Sequence, residues 1–358
     1  MPDKKLFLLK TAYIVIYCVI FGLLICELTL VIHRRYFVLT RSNQYCAQNP
    51  HIYTMRDINE GIGLSLWKTQ WESYQPHAQL IKKIGNQTYI VKINGQGYRT
   101  REFSIEKPRD TLRIVCLGGS TTVQGETNED TYPALLEKKL RIRYPQQKIE
   151  VLNLGVSGAR STYWLSRLDY LFSLHPDIII QYEGINDICW VYFGEYSGPH
   201  RVRKKLNYSL LYQLLFPASP RSFDSYFQKT YANLSKIADR AKQEGAVYFV
   251  ATFPGPDPAK LQEPFKSFLD MNMTDTWGSL MHFKYYSNYW SILLRYNELL
   301  KQFVTTHQLN DILLDEKILS PAYFVDACHT DRIGREAIAD VVLNSITAQD
   351  DRLFNRSR

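Results

Sequence analysis

The feature that most restricts this chain is a rhythm that begins at Leu112, where short apolar runs alternate with amphipathic windows. The runs Arg113–Leu117, Ile149–Leu154, Asp177–Tyr182, Ala246–Thr252 and Asp311–Leu314 read as strands. Between and after them, Tyr132–Tyr144, Ser161–Leu174, Phe223–Gln243, Tyr289–Thr306 and Ile333–Ser345 read as helices. Gly245 stands where the third of these helices needs a C-terminal cap. The strand runs are continuously apolar, which indicates burial on both faces, as in a parallel sheet covered by helices. Five strands so separated predict a three-layer α/β/α sandwich around a five-stranded parallel sheet. In such a sheet a ligand sits beyond the carboxyl ends of the strands, at the switch in strand order. Two stretches break the rhythm, Ile188–Ser222 and Pro254–Asn288, and are expected to be binding loops or lids.

Ahead of this rhythm, Thr11–Ile32 is a run of 22 residues with Glu27 as its one charge. As a helix it would be about 33 Å long, enough to cross a hydrocarbon core of about 30 Å. A cleaved signal peptide would have a shorter core and a small-residue cleavage site; His33, Arg34 and Arg35 follow instead. Cys18 and Cys26 lie inside the run and read as membrane-facing small hydrophobes. Lys4, Lys5 and Lys10 before the run balance Arg34, Arg35 and Arg41 after it, so the charges do not orient it. A short stub before a large body fits a single-pass signal-anchor with the large domain on the extracytoplasmic side. The expected organisation is an anchor at 1–35, a connector with some β structure at 36–110, an α/β domain at 111–349 and a tail at 350–358. The connector is rich in aromatics, with one clear strand, Tyr89–Ile93, before the turn-prone Asn94-Gly95-Gln96-Gly97.

With 45% hydrophobic and 22% charged residues the chain is neither disordered nor fibrous, and its net charge of +8 is dispersed. Six cysteines without a CxxC pair signal neither a zinc site nor a disulfide scaffold. No HExxH or carboxylate cluster suggests a metal, and no cofactor is expected. The basic cluster Arg201, Arg203, Lys204 and Lys205 lacks the stacking aromatics of a nucleic-acid module. Beside a membrane anchor, such a cluster fits a solvated surface or a patch facing anionic lipid or an acidic polymer.

The residues that follow the strands carry the chemistry. They are Gly118-Gly119-Ser120-Thr121-Thr122, Gly155-Val156-Ser157-Gly158, Glu183-Gly184-Ile185-Asn186-Asp187 and Asp326-Ala327-Cys328-His329. A serine hydroxyl is a weak nucleophile until an imidazole takes its proton, and the imidazole needs a carboxylate to fix its tautomer. Asp326 and His329 could supply that pair for Ser120. The amides of Ser120 and Gly158 and the side-chain NH₂ of Asn186 could form an oxyanion hole.

These blocks resemble, in order, those of the SGNH (GDSL) hydrolase family: LGGSTT with Ser120, NLGVSG with Gly158, GIND with Asn186, and DACH with Asp326 and His329. The resemblance covers about 111–349 and implies the flavodoxin-like fold of that family. It implies Ser120 as nucleophile, His329 as base, Asp326 as its orienter, and Gly158 with Asn186 in the oxyanion hole. One departure is that the usual Gly-Asp-Ser is here Gly118-Gly119-Ser120, similar to the GGST branch of the family. The connector's Asn94-Gly95-Gln96-Gly97-Tyr98-Arg99 also resembles a leader found ahead of the catalytic domain in some anchored members.

The expectation is a membrane-anchored serine esterase or acyl hydrolase acting on a lipid or acylated-carbohydrate ester. An O-acyltransferase would use the same residues, and a silent binding protein could use the same fold. Ser157 is a rival nucleophile, because Gly155-Val156-Ser157-Gly158-Ala159 nearly matches the Gly-x-Ser-x-Gly elbow. Asp331 is a fallback partner for His329, and Asp187 is expected to cap a helix or to support Asn186. His175 reads as a cap or loop residue, and His282 as a surface residue in the second insertion. Cys189 and Cys328 are expected near the rim as buried thiols; in an exported domain they could form a bridge.

Overall fold

A computed structural model describes residues 2–50, 67–69, 73–84, 86–188, 209–216, 219–275, 285–349 and 354. The strands among them are β1 (Trp67–Thr69), β2 (Ser73–Tyr74), β3 (Gln79–Ile84), β4 (Gln87–Lys92), β5 (Thr111–Gly118), β6 (Lys148–Asn153), β7 (Ile178–Tyr182), β8 (Val247–Ala251) and β9 (Asn310–Ile312). The last five form one sheet in the order β6-β5-β7-β8-β9, with every neighbouring pair parallel. The chain runs outward from β5 to β6 and then crosses to β7, so the order switches between β5 and β7. At that switch Gly118 lies opposite Tyr182.

The five expected strands are all present, and β7 is buried along its whole length. Helices cover the sheet in two packed groups. Tyr132–Arg143 lies against Arg332–Gln349, and Asp224–Gln243 packs on Ser161–Leu165, Leu168–Ser173 and Tyr286–Thr306. Asp224–Gln243 buries Phe227, Thr230, Tyr231, Leu234, Ile237, Ala238 and Ala241, a stripe with the three-to-four spacing of one helical face. It ends as the glycine predicts. Gly245 has φ +75°, its N–H meets the Lys242 carbonyl at 3.3 Å, and Ala246 N–H meets the Ala241 carbonyl at 2.9 Å.

Three elements differ from the sequence reading. The helix expected over Ser161–Leu174 is two short helices that break at Ser166-Arg167. There the Ser166 hydroxyl donates to the Tyr163 carbonyl at 2.8 Å and competes with the backbone ladder. The last strand is shorter than Asp311–Leu314 and ends at Ile312, because a helical turn opens at Leu314 with the Asp315 N–H bound to Thr252 Oγ1 at 3.0 Å. The connector holds a hairpin rather than one strand: β3 pairs antiparallel with β4, Leu80 and Val91 facing the core while Ile81 and Ile90 face out.

The connector is bound tightly to the domain through buried arginines. Arg99, fully buried, donates to the carbonyls of Val123 at 2.7 Å and Gly125 at 2.9 Å. Arg113 sits inside β5 opposite Glu150 on β6, meets its carboxylate at 2.9 Å and donates to the carbonyls of Ser104, Ile105 and Leu174. A charge in the middle of a buried strand is tolerable only with such complete pairing.

At the N-terminus, the helix Pro2–His33 runs through a π-helical turn at Arg34–Val38 into Leu39–Gln48. Among the described residues this is the helix long and apolar enough to cross a membrane. Cys18 and Cys26 are exposed on it.

Replacing Arg113 with Met removes one of the two arginine partners of Glu150, leaving Arg101 at 3.3 Å, and takes a donor from three carbonyls. The expected loss, read by chemical denaturation, is about 3–5 kcal/mol; a loss within about 0.5 kcal/mol would show that the guanidinium is dispensable.

Candidate active site

Ser120 stands at the carboxyl end of β5, as the first residue of the one-turn helix Ser120–Val123. An N–H at that position has no intrahelical acceptor. The opposite wall is a tight loop before Arg332–Gln349. In it an antiparallel bridge joins Phe324 to Thr330, and the His329 carbonyl accepts from Val325 N–H at 2.9 Å. This loop brings the imidazole over the serine. His329 Nε2 lies 2.8 Å from Ser120 Oγ, and Nδ1 lies 2.7 Å from Asp326 Oδ2. The other carboxylate oxygen, Asp326 Oδ1, accepts from the N–H groups of Cys328 at 2.8 Å and His329 at 2.7 Å. Burial pushes the Asp326 pKa up, but its pairing with His329 and the two backbone donors outweigh this and hold it below the usual carboxylate range. Ser120 is half-buried, whereas His329 is only 7% exposed, so the serine keeps access to the surface while the imidazole is largely enclosed.

The other two blocks come to the same rim. Val156 N–H bonds the Gly118 carbonyl at 3.0 Å, tying the second block to the first. Gly158 has φ +76°, in the left-handed region that favours glycine. Asn186 Nδ2 donates to the Ala159 carbonyl at 2.9 Å, which uses one of its two amide hydrogens. The same nitrogen would lie 2.4 Å from a Cβ on Gly119. The second glycine of the Gly-Gly-Ser block therefore leaves the space that the Asn186 carboxamide fills.

Ser157 is not part of this arrangement. Its Oγ accepts from the Tyr74 hydroxyl at 3.0 Å and its N–H donates to the same oxygen at 2.8 Å, and a phenol is a poor base at neutral pH. Asp331 accepts from Gly334 N–H at 2.7 Å and caps the last helix. Asp187 is buried behind Asn186, where it accepts from Ser161 Oγ at 2.8 Å and Thr230 Oγ1 at 3.3 Å. His175 is an exposed loop residue with φ +49°. Cys328 is fully buried, with its sulfur 3.5 Å from His329 Nδ1. Asp326, Cys328 and His329 bring ligand-type atoms within 4.8 Å of one another. Both imidazole nitrogens are already engaged by Ser120 and Asp326, so the cluster serves as a hydrogen-bond chain. Cys189, His282 and the basic cluster Arg201 to Lys205 lie outside the described residues.

Several supporting residues carried no signal of their own in the sequence. Gln124 and Thr330, both fully buried, bond each other twice: Nε2 to Oγ1 and Oε1 to the Thr330 N–H, each at 2.9 Å. This clamp joins the end of the serine turn to the residue after His329. Arg335 reinforces it through the carbonyls of Thr330 at 2.8 Å and Asp130 at 2.7 Å. Glu183, just before the Gly-Ile-Asn-Asp block, is buried with no partner at hydrogen-bond distance on either oxygen among the described residues. Burial first, and the Asp187 carboxylate second, push its pKa well above the usual range, only partly opposed by Gln181 and Trp164.

Two outcomes follow from these contacts. Gly119→Asp, the residue usual in the family, displaces Asn186 and is expected to lower kcat about 10²-fold or more; unchanged kcat would show that the carboxamide has other room. A raised carboxyl favours folding below its ordinary value of 4.5, and that contribution is lost as pH rises through the folded value. Glu183→Gln should therefore match the wild type near pH 4 and unfold roughly 3 °C or more above it at pH 8. A Tm difference that does not change with pH would contradict the buried neutral carboxyl.

The GDSL-like lipase/acylhydrolase family model matches residues 116–326, from within β5 to Asp326, and ends just before His329. Similar solved structures include LAE5, an alpha/beta hydrolase enzyme from the metagenome of Lake Arreo, Spain, at 17% identity over 65% of this chain and 94% of that one, with a TM-score of 0.42. A variant of Axe2, an acetyl xylan esterase from Geobacillus stearothermophilus, aligns at 15% identity over 69% of this chain and 96% of that one, with a TM-score of 0.42. A GDSL-like lipase from Bacteroides thetaiotaomicron aligns at 14% identity over 67% and 88%, with a TM-score of 0.35. No curated protein matches the sequence. The family match spans more than half of the chain, takes in the Ser120, Gly158 and Asn186 blocks and reaches Asp326. By that match this chain belongs to the GDSL-like lipase/acylhydrolase family of ester-hydrolysing enzymes.

Proposed function

We propose that this protein is a membrane-anchored serine esterase that cleaves a carboxylic ester through an acyl-enzyme on Ser120. The observation that carries the reading is the imidazole of His329, held at 2.7 Å by Asp326 on one nitrogen and at 2.8 Å by Ser120 on the other. Asp326 as hydrogen-bond acceptor fixes the proton on Nδ1 and leaves the Nε2 lone pair for the serine proton.

In this mechanism Ser120 Oγ attacks the acyl carbon while His329 Nε2 takes its proton. The carbonyl oxygen becomes an oxyanion, for which the Ser120 and Gly158 amides and the second amide hydrogen of Asn186 are the assigned donors. One such donor is worth about 3–4 kcal/mol in the transition state. The protonated imidazole then gives its proton to the leaving alkoxide, the ester C–O bond breaks, and Ser120 holds the acyl group. Water, deprotonated by the same nitrogen, attacks the acyl carbon, and collapse returns the proton to Ser120 as the acid leaves.

The catalytic unit in this reading is 111–349, with 1–35 as its anchor and 36–110 as the segment that braces it. The buried contacts of Arg99 and Tyr74 beneath the serine and glycine blocks support that role.

A fluorophosphonate probe on the full chain in detergent tests the nucleophile. Labelling is expected in the wild type and Ser157→Ala but absent in Ser120→Ala. Asp326→Asn should lower kcat by about 10³–10⁴. A panel of p-nitrophenyl esters from acetyl to palmitoyl should release free acid with Ser120 intact. Probe labelling that survives Ser120→Ala, or a wild type inert to both probe and esters, would overturn the assignment.

A further inference from the structure

The one charge of the apolar span does not face lipid alone. The Glu27 carboxylate meets the start of the helix Leu210–Leu215, where Oε1 accepts from Leu210 N–H at 2.8 Å and Oε2 accepts from Leu211 N–H at 2.8 Å and the Ser209 hydroxyl at 2.7 Å. Leu210 is buried at this contact, whereas Leu214, Leu215 and Phe216 at the far end are 57%, 58% and 63% exposed. A carboxylate within hydrocarbon is costly unless its acceptors are met, and a helix start leaves N–H groups that need acceptors. Each group here answers the other's need.

The depth of this contact follows from the helix rise. Glu27 precedes Arg34, the first arginine after the span, by seven residues, about 10 Å along the axis. The exit of the span is itself fixed to the catalytic domain. Arg34 donates to the Asp270 carbonyl at 3.0 Å and lies 5.6 Å from the Tyr285 ring centroid. Tyr45 lies against Phe265 and Phe268 with centroids at 4.8 and 5.0 Å. Two fixed points, one above the other, set the tilt of the body against the span. The exposed Leu23, Leu24 and Leu28 of the span lie at the level of the helix bound to Glu27.

We propose that Leu210–Phe216 is a second membrane element, an apolar finger that Glu27 holds in the same leaflet as the exit of the span, with Leu214, Leu215 and Phe216 among lipid acyl chains. The occupant is the bilayer because the finger is bound, by half-buried polar contacts, to a segment that presents exposed apolar side chains on either side of Glu27. This inference rests on reading Thr11–Ile32 as a membrane span.

The test uses the full chain in phosphatidylcholine vesicles doped with a lipid that carries a diazirine midway along one acyl chain. After illumination, adducts are mapped by peptide mass spectrometry. Adducts are expected on the span and on the peptide containing 210–216, and not on the β3–β4 hairpin despite its exposed Ile81 and Ile90. Glu27→Ala should lower the finger adducts at least five-fold and leave those on the span. Leu214→Glu with Phe216→Glu, which keeps the Glu27 contacts, should lower them likewise. Adducts on the span with none on 210–216 would remove the finger and leave the anchor standing, whereas no adducts on the span would remove both. Finger adducts unchanged in Glu27→Ala would overturn the part assigned to Glu27.

Discussion

An imidazole has one nitrogen to give a proton and one to take it, and the site is arranged around that asymmetry. His329 and Ser120 are 209 positions apart, yet their atoms must stay within hydrogen-bond distance while the ring keeps one tautomer. The parallel sheet makes that possible by aiming the carboxyl ends of β5 and β7 at one rim and running the last loop beside them. Its strand order alone would leave the two walls to drift. The reciprocal contact of Gln124 with Thr330 closes them, and Arg335 spreads the restraint to Asp130.

Much of this support consists of charge placed where charge is costly. Arg99, Arg113 and Arg335 are each fully buried, and each is held by backbone carbonyls. Guanidinium groups suit this use because several donors point in fixed directions from one plane. Glu183 is the opposite case, a buried carboxyl with no donor at bonding distance among the described residues, and burial pushes its pKa well above the usual range, which favours the neutral form. Two carboxyls flank Asn186, and only Asp187 has hydroxyl partners.

The sheet was legible in the sequence because burial on both faces leaves uninterrupted runs such as Ile178-Ile179-Ile180. The Ser120, Gly158 and Asn186 blocks were legible because each follows such a run, whereas Asp326 and His329 lie beyond the last strand and two short helical turns and were legible only as an Asp-x-x-His pair. The helix break at Ser166 was not, since a hydroxyl bonding its own turn leaves the apolar pattern intact. The hairpin β3–β4 was half legible: Gly85-Asn86 is a turn signal, but Lys82 and Lys83 obscure the alternation of the first strand. Gln124, Thr330 and Glu27 were illegible as partners, because nothing local to a residue says what lies across a rim or beside a long apolar helix. Gly119 was read as a departure from a motif; only the position of the Asn186 carboxamide explains it.

Arg99 sets a limit on how the molecule can be shortened. Its side chain comes from the stretch ahead of the sheet, yet it satisfies the carbonyls at the end of the serine turn. Tyr74 does the same for the backbone beside Gly158. A fragment cut at the first strand of the sheet would keep every side chain of the proposed catalytic set while losing the floor beneath the serine and glycine blocks, so a trimmed enzyme has to begin upstream of Ser73.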